Sequence, residues 1–360
     1  MNSKKLQNEK YHISAGAKMV PFAGYNMPIW YTSIADEHNC VRNNVGIFDV
    51  SHMGEFIVSG IEAIKFLQRV TSNNIEKLKV GNAQYSSLTN ENGGIIDDLI
   101  VYCLSINKYM LVVNASNMKK DLDWLEKHNS YKTKIENISN NISLLAVQGP
   151  KASSLLNTIS NTDLSTIKFY NFIVGKISDI KNIIISATGY TGAGGFELYV
   201  SNKDATKLWN KIIQVGKKYN LQPIGLGARD TLRLEMGYCL HGSDINDQIN
   251  PIEAGLDWIC KKNVDYIGKN VIDSDRENNP SKKLIGFTLT EKGIPRSGYK
   301  IFNSNGNEIG TVTSGSISPS TGKAIGLGFI KFNKIDYKKS IFIEIRNKKI
   351  EAKLSKTPFI

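Results

Sequence analysis

Hydrophobic and polar positions along this chain repeat with two periods, and the switches between them outline its elements. Ile34, His38 and Val41 fall on one face behind Ser33 and ahead of Gly46, which predicts a capped helix over 34–41. Strand patterning follows over 55–59, then helical spacing at Ile64, Leu67 and Val70. Short β-rich runs over 84–88, 98–104 and 109–114 are separated by Asn/Gly turns. Asn117 precedes Met118, Leu122 and Leu125 at helical spacing and is the expected cap of that helix. A strand over 142–148 breaks at Gly149-Pro150, and Ala152, Leu155 and Ile159 resume the helical period. Two hairpin-like strands, 183–188 and 196–200, precede an amphipathic helix carrying Ala205, Leu208, Trp209 and Ile212. Strands come in antiparallel-looking groups without a regular βαβ repeat, which is an α+β pattern. The polar run over 273–283 reads as a linker. Beyond it, 284–289, 299–302, 308–313, 324–330 and 340–345 are short, β-branched and Gly-bounded, as in a small barrel or sandwich.

Composition narrows the function classes. With 360 residues, 41% hydrophobic and 22% charged, the chain is globular and has room for two or three cores. No apolar run reaches the roughly 18 residues of a membrane span, and the first 19 residues hold four lysines but no apolar signal core, so a cytoplasmic location is expected. Cys40, Cys103, Cys239 and Cys260 are widely spaced, which suits reduced core thiols and offers no metal-ligand pattern. The net charge of +12 raises the question of nucleic acid. Much of the excess lies over 331–356, where charges alternate with Ile341, Ile343, Ile345 and Ile350 and no aromatic platform accompanies them. That is the pattern of a solvated strand face, so neither a nucleic-acid nor a membrane partner is expected.

Familiar catalytic motifs are missing. There is no G-x-G-x-x-G or Walker A loop, since Gly315–Lys323 is too long and Ala324 stands where a Ser/Thr is needed. Asp49-Val50-Ser51-His52 contains the three triad residue types, but neighbours on an extended segment point to opposite faces, so no local triad forms.

Three stretches carry unusual residues. In Asn92-Gly-Gly-Ile-Ile-Asp97-Asp98-Leu-Ile-Val-Tyr102, two carboxylates enter an apolar strand after a Gly-Gly turn. Period-two geometry puts Asp98 and Tyr102 on one face and Asp97 on the other. The pair suits a catalytic carboxylate and equally a strand-end cap accepting turn amides. Thr188-Gly-Tyr-Thr-Gly-Ala-Gly-Gly-Phe-Glu197 is a glycine-rich turn that lets backbone approach a flat ligand, with Glu197 able to accept from its N–H groups; an ordinary hairpin with an exposed glutamate has the same pattern. Gly225-Leu-Gly-Ala-Arg229-Asp230-Thr-Leu-Arg233-Leu-Glu235 opens a helix whose charged positions suit either a ligand site or a surface salt-bridge ladder.

Taken together, these segments resemble the aminomethyltransferase (T-protein) family of the glycine cleavage system. The likeness includes Phe22-Ala-Gly-Tyr-Asn-Met-Pro, Val45-Gly-Ile-Phe-Asp-Val-Ser-His-Met-Gly-Glu55, Val112-Val-Asn-Ala-Ser, Val147-Gln-Gly-Pro and Thr313-Ser-Gly-Ser-Ile-Ser-Pro-Ser-Thr-Gly, in order over nearly the whole chain. The resemblance implies two interleaved α+β subdomains over 1–272 around a central cavity, and a C-terminal β-barrel over 283–360. It implies transfer of a one-carbon unit from an aminomethylated dihydrolipoyl arm on a carrier, the H-protein, to tetrahydrofolate. The products would be 5,10-methylenetetrahydrofolate, ammonia and the reduced arm. The P- and L-proteins are the implied functional partners, and no metal is implied.

By residue matching, Asp98 is similar to the essential carboxylate beside the reacting folate nitrogens, and Glu197 to the residue that holds the pterin ring N–H groups. Arg229 matches a ligand-site position. Met53, Tyr85, Tyr102, Val112, Asn114, Tyr190 and Tyr238 match positions lining the cavity. The turn reads Gly192-Ala-Gly-Gly where many relatives carry an acidic residue, and the sequence ends at Thr357-Pro-Phe-Ile360 where relatives usually extend. One contact to the folate tail or to the carrier is therefore expected to be weaker or supplied differently. Two neighbouring roles share the scaffold: a folate-dependent demethylase, and a non-enzymatic iron–sulfur assembly factor. The latter carries a Lys-Gly-Cys motif where this chain has Glu235-Met-Gly-Tyr-Cys239-Leu-His-Gly.

Overall fold

The computed structural model describes residues 3–360. The chain divides into two units: Met1–Phe66 with Glu76–Tyr85 and Leu99–Asp230, and Leu67–Ile75 with Ser86–Asp98 and Thr231–Ile360. Helices and largely antiparallel sheets are mixed throughout, as the α+β pattern predicts.

The first unit is built on a six-stranded sheet. Its order is Phe172–Ile177, Ile180–Ser186, Gly195–Ser201, Ile142–Gln148, Gly46–Asp49, Gln222–Pro223, antiparallel except for the last pair. Alternation along Gly195–Ser201 sends Phe196, Leu198 and Val200 to one side, where they join Val45, Ile47, Leu145 and Val147. The helices Ala152–Asn157 and Asn202–Gly216 close that side with Leu155, Leu208, Trp209 and Ile212, all fully buried. Burying side chains of this size is worth roughly 1.5–3 kcal/mol each, so this layer contributes heavily to the unit's stability.

The Ile34–Asn43 helix starts as expected, with Ser33 Oγ accepting from the Asp36 N–H at 3.1 Å. It runs to Asn43, two residues beyond the expected 34–41, and ends at Asn44 because Gly46 already belongs to a strand. Asn117 stands at the N-cap of Met118–Lys127, but its side chain makes no capping bond there. A hairpin, Lys18–Phe22 with Tyr25–Trp30, and the strand Phe172–Ile177 lie where the hydrophobic pattern marked nothing.

A second sheet runs in the order Ala83–Thr89, Ile95–Ser105, Lys108–Val113, Gly54–Ser59, Lys134–Asn137. The boundary between the two units falls inside its first two strands.

The second unit ends in a closed six-stranded barrel: Lys282–Leu289, Ala324–Lys331, Glu308–Ile317, Lys300–Phe302, Ser340–Ile345, Lys348–Ser355. Ile285, Phe287, Ile301, Val312, Ile330, Ile341, Ile343 and Ala352 fill it. Lys348, Lys349 and Lys353 are exposed, so these charges of the basic tail stand on the wet face of a strand. The sixth strand was hidden by the lysines that interrupt its apolar positions.

The polar run expected as a linker is largely helix, Lys269–Asn278. Only Ile272 of that helix is fully buried. Ion pairs supply what burial does not: Asp273 takes both Lys269 and Arg276, and Arg276 also reaches Asp257 at 2.6 Å.

Candidate functional site

The glycine-rich turn is braced from below. Gln148 Nε2 donates to the Thr188 carbonyl at 3.1 Å and to the Phe196 carbonyl at 3.3 Å, while its Oε1 accepts from Thr191 Oγ1 at 2.8 Å. Arg42 donates to the Thr191 carbonyl at 2.6 Å. A Cβ on Gly189 would sit 2.0 Å from Gln148 Oε1, so this close approach demands glycine. The turn therefore has a fixed shape, and Glu197 leaves it on a strand.

Glu197 and Tyr199 project from the sheet face opposite the Phe196, Leu198 and Val200 core. Glu197 is buried, and Thr188 Oγ1 donates to its Oε2 at 2.5 Å. It is not an exposed hairpin glutamate. Tyr102, from Ile95–Ser105, brings its hydroxyl 3.1 Å from Thr188 Oγ1 and 2.9 Å from the Tyr199 hydroxyl. Burial pushes Glu197 above the usual carboxylate range, opposed by the Thr188 bond and the Arg229 charge. Burial likewise raises Tyr102 and Tyr199, and the Glu197 charge adds to both. The network is thus a neutral hydroxyl chain ending on one carboxyl.

Arg229 comes from Leu226–Met236, whose start is anchored by a buried acid. Glu37 accepts the Gly225 N–H at 2.7 Å and the Tyr31 and Thr32 N–H groups at 2.6 and 3.0 Å. A Cβ on Gly225 would meet the Ile29 backbone at 2.4 Å, so no other residue permits this approach. The Arg229 guanidinium lies 4.7 Å from the centre of the Tyr190 ring, and burial lowers its affinity for its proton against the opposing pull of Tyr190 and Glu197.

His52 is buried and pushed down to about 3, first by burial and then by the Arg229 charge, so it is a neutral ring. Ser51 Oγ donates to Asp49 Oδ1 at 2.6 Å, and the imidazole on Asp49 belongs to His12, with Nε2 at 3.1 Å. Asn8 Nδ2 donates at 2.9 Å to Asp49 Oδ2, the oxygen that His12 also contacts, and Tyr31 Oη lies 2.8 Å from His12 Nδ1. Burial alone raises Asp49, but His12, Ser51 and Asn8 outweigh it and hold this carboxyl below its usual range. These bonds tie the N-terminal helix Glu9–Ser14 to the sheet, and no triad forms around Ser51.

In the second unit, Asp97 is fully buried whereas Asp98 is half-buried, and the Asp98 charge helps burial and Asp244 to push Cys239 up. Asp98 and Tyr102 thus lie on one face of their strand and Asp97 on the other, as the alternation requires. Arg233 is no surface ladder residue. It is 2% exposed, pairs with Asp244 at 2.7 Å, donates to Ser314 Oγ at 3.0 Å and to the Tyr238 carbonyl at 3.1 Å. Glu235 accepts from Ser318 and Ser320 hydroxyls at 2.5 and 2.9 Å. The Thr313–Gly322 motif therefore serves as the socket for Arg233, Asp244 and Glu235.

Of the expected site residues, Met53, Tyr85, Tyr102, Val112, Asn114, Tyr190, Glu197 and Arg229 belong to the first unit, and Asp98 and Tyr238 to the second. Tyr102, Glu197, Arg229 and Tyr190 are linked through Thr188, charge and ring contact. Val112 lies opposite both Glu55 and Ile100 in the sheet; Met53, Tyr85 and Asn114 are half-buried on neighbouring elements. Tyr199, Thr188 and Glu55 were missed. Two signals in the sequence point to Tyr199 and Glu55: Tyr199 follows Glu197 by one strand period, and Glu55 is the one ionisable residue in the Gly54–Ser59 strand.

Comparison with known proteins agrees over the full length. Residues 9–264 match the GCVT N-terminal domain and 282–360 the glycine cleavage T-protein C-terminal barrel domain. A Flavobacterium psychrophilum protein named aminomethyltransferase is 49% identical over 350 residues, 97% of both chains. One of the same name from Halothermothrix orenii is 46% identical over 99% of this chain and 100% of its own. The crystal structure of glycine cleavage system aminomethyltransferase T from Bartonella henselae superposes with a TM-score of 0.93 at 34% identity, covering 100% of this chain and 98% of that one. The chain belongs to the aminomethyltransferase, or glycine cleavage T-protein, family.

Proposed function

We propose that this protein is the aminomethyltransferase of a glycine cleavage system, moving a one-carbon unit from an aminomethylated dihydrolipoyl H-protein to tetrahydrofolate with release of ammonia. The observation that carries this reading is likeness over 97% of the chain to relatives named for that activity. The Glu197 group supports it chemically. A buried carboxyl oriented by Thr188 and favoured in its ionised form by Arg229 suits the guanidine-like N–H edge of a pterin.

Asp98 is assigned the catalytic role. Forming the methylene bridge develops positive charge on the transferred carbon, and a fixed carboxylate stabilises it. The folate amines are the nucleophiles, so the protein supplies proximity and orientation, and no serine or cysteine nucleophile is required. Met53, Tyr85, Tyr102, Val112, Asn114, Tyr190, Arg229 and Tyr238 are assigned to folate binding. H-protein is the proposed carrier, with the P- and L-proteins as functional partners, and the cytoplasm is the proposed location. No helix among the described residues is long and apolar enough to cross a membrane.

The test is ammonia release from aminomethylated H-protein with and without tetrahydrofolate. Release that rises strongly with tetrahydrofolate and yields 5,10-methylenetetrahydrofolate is expected. Release indifferent to the folate would end the reading.

A further inference from the structure

Glu55 is buried for no reason that its own strand supplies. Its neighbours Phe56, Ile57 and Val58 are buried and apolar, while Glu55 is 1% exposed with neither carboxyl oxygen hydrogen-bonded among the described residues. Its backbone is satisfied, the N–H donating to Ser139 Oγ at 2.9 Å and the carbonyl accepting from the Ile138 N–H at 2.9 Å. Folding leaves only the side chain unpaired, and an unpaired buried carboxyl is costly.

The sheet register says where that side chain points. Glu55 lies opposite Val112, which lies opposite Ile100; in the next row on this face Ile57, Met110 and Tyr102 are opposed. Directly opposed residues share a face, so Glu55 projects from the side that carries Val112 and Tyr102. Its charge is felt by Tyr25 of Tyr25–Trp30 and by Tyr199 of Gly195–Ser201. Tyr199 is the residue whose hydroxyl bonds Tyr102. Glu197 and Glu55 therefore share Tyr199 as a neighbour in charge, while Glu197 alone also acts on Tyr102. Burial is the sole cause acting on Glu55 and raises it well above the carboxylate range, favouring its protonated form, whereas at Glu197 the Thr188 bond and the Arg229 charge oppose burial.

The two acids then differ in what they bind. An ionised carboxylate offers acceptors only and suits an edge of two N–H groups. A protonated carboxyl presents a donor beside an acceptor and suits an edge with the same mixture. A reduced pterin has both kinds: the 2-amino and N3–H groups on one edge, and N8–H beside the N1 lone pair on another. We propose that Glu55 is a second pterin-binding residue, pairing through both carboxyl oxygens with a mixed donor–acceptor edge of the reduced ring. This assignment rests on the folate reading above.

Calorimetric titration of the full-length protein with tetrahydrofolate, under anaerobic conditions, tests it. Glu55→Gln keeps a donor and an acceptor and should bind within about threefold of the wild type. Glu55→Met removes both and should bind at least about tenfold more weakly. Its thermal midpoint without ligand should match or exceed that of the wild type, which a merely structural role does not predict. Wild-type affinity in Glu55→Met, or equal losses in both variants, would overturn the assignment alone. Absence of binding by the wild type would overturn the folate reading with it. Should Glu55→Met not fold, the ligand can be altered instead. An analogue with carbon at position 8 should bind the wild type about tenfold more weakly than tetrahydrofolate does, and equal affinity would refute the pairing.

Discussion

Phe287 and Glu197 each lie inside a strand and both are buried, but the regions around them differ in kind. The barrel around Phe287 has one apolar interior and sends its charges outward. The strand that carries Glu197 has two interiors. Phe196, Leu198 and Val200 enter a closed apolar layer, while Glu197 and Tyr199 enter a polar layer with Thr188 and Tyr102. Stability is concentrated in the first kind of region and chemistry in the second. Polar groups held in a low-dielectric layer bind strongly when a ligand completes them and weigh on the fold when nothing does.

This contrast can be broken by substitution. Phe287→Ala should cost about 3–5 kcal/mol in denaturant-induced unfolding, with tetrahydrofolate affinity unchanged in the protein that remains folded. A cost below about 1 kcal/mol would mean the barrel core is not close-packed. Asp98→Asn should reverse the balance. Turnover should fall by on the order of 10²-fold or more while folate binding persists, and near-normal turnover would remove Asp98 from the mechanism. Glu197→Gln should weaken tetrahydrofolate binding by about tenfold through loss of a charge-assisted pair, read by the same calorimetric titration. An unchanged dissociation constant would detach Glu197 from the pterin.

The smallest effects sharpen the contrast through pH. His52 and Glu55, three residues apart, are both buried, and burial shifts them in opposite directions. His52 is lowered to about 3, so the unfolded chain binds the extra proton, and stability is lost as pH falls below the ordinary histidine range. Glu55 is raised, so the folded chain holds the extra proton, and stability is lost as pH rises above the ordinary carboxyl range. Unfolding midpoints of wild type and Glu55→Gln should therefore diverge as pH rises above the ordinary carboxyl range, the variant being the more stable at the higher pH. Parallel curves would show that Glu55 is already ionised in the folded protein.

Much of this was legible along the chain. Helical spacing placed Ala63–Val70 and Asn202–Gly216, and the Gly-bounded β-branched runs placed five of the six barrel strands. Motif order pointed to Asp98, Glu197 and Arg229. The Lys269–Asn278 helix was not legible, because its support is ion pairing to Asp273 and Asp257, which leaves no apolar stripe. Arg233 had the spacing of a surface ladder, and only its partners Asp244 and Ser314 show it to be buried.

Local chemistry therefore determined the elements, the α+β class and the residue types of the site, since periodicity, caps and turn residues act within a few positions of each other. Only the folded structure decided which polar groups are sealed from water and with whom. It buries Asp97 more deeply than Asp98, gives Asp49 the distant His12 and not the adjacent His52, and leaves both Glu55 carboxyl oxygens without a hydrogen bond among the described residues. Desolvation and pairing depend on atoms brought together from segments far apart in the chain, so no local pattern carries them.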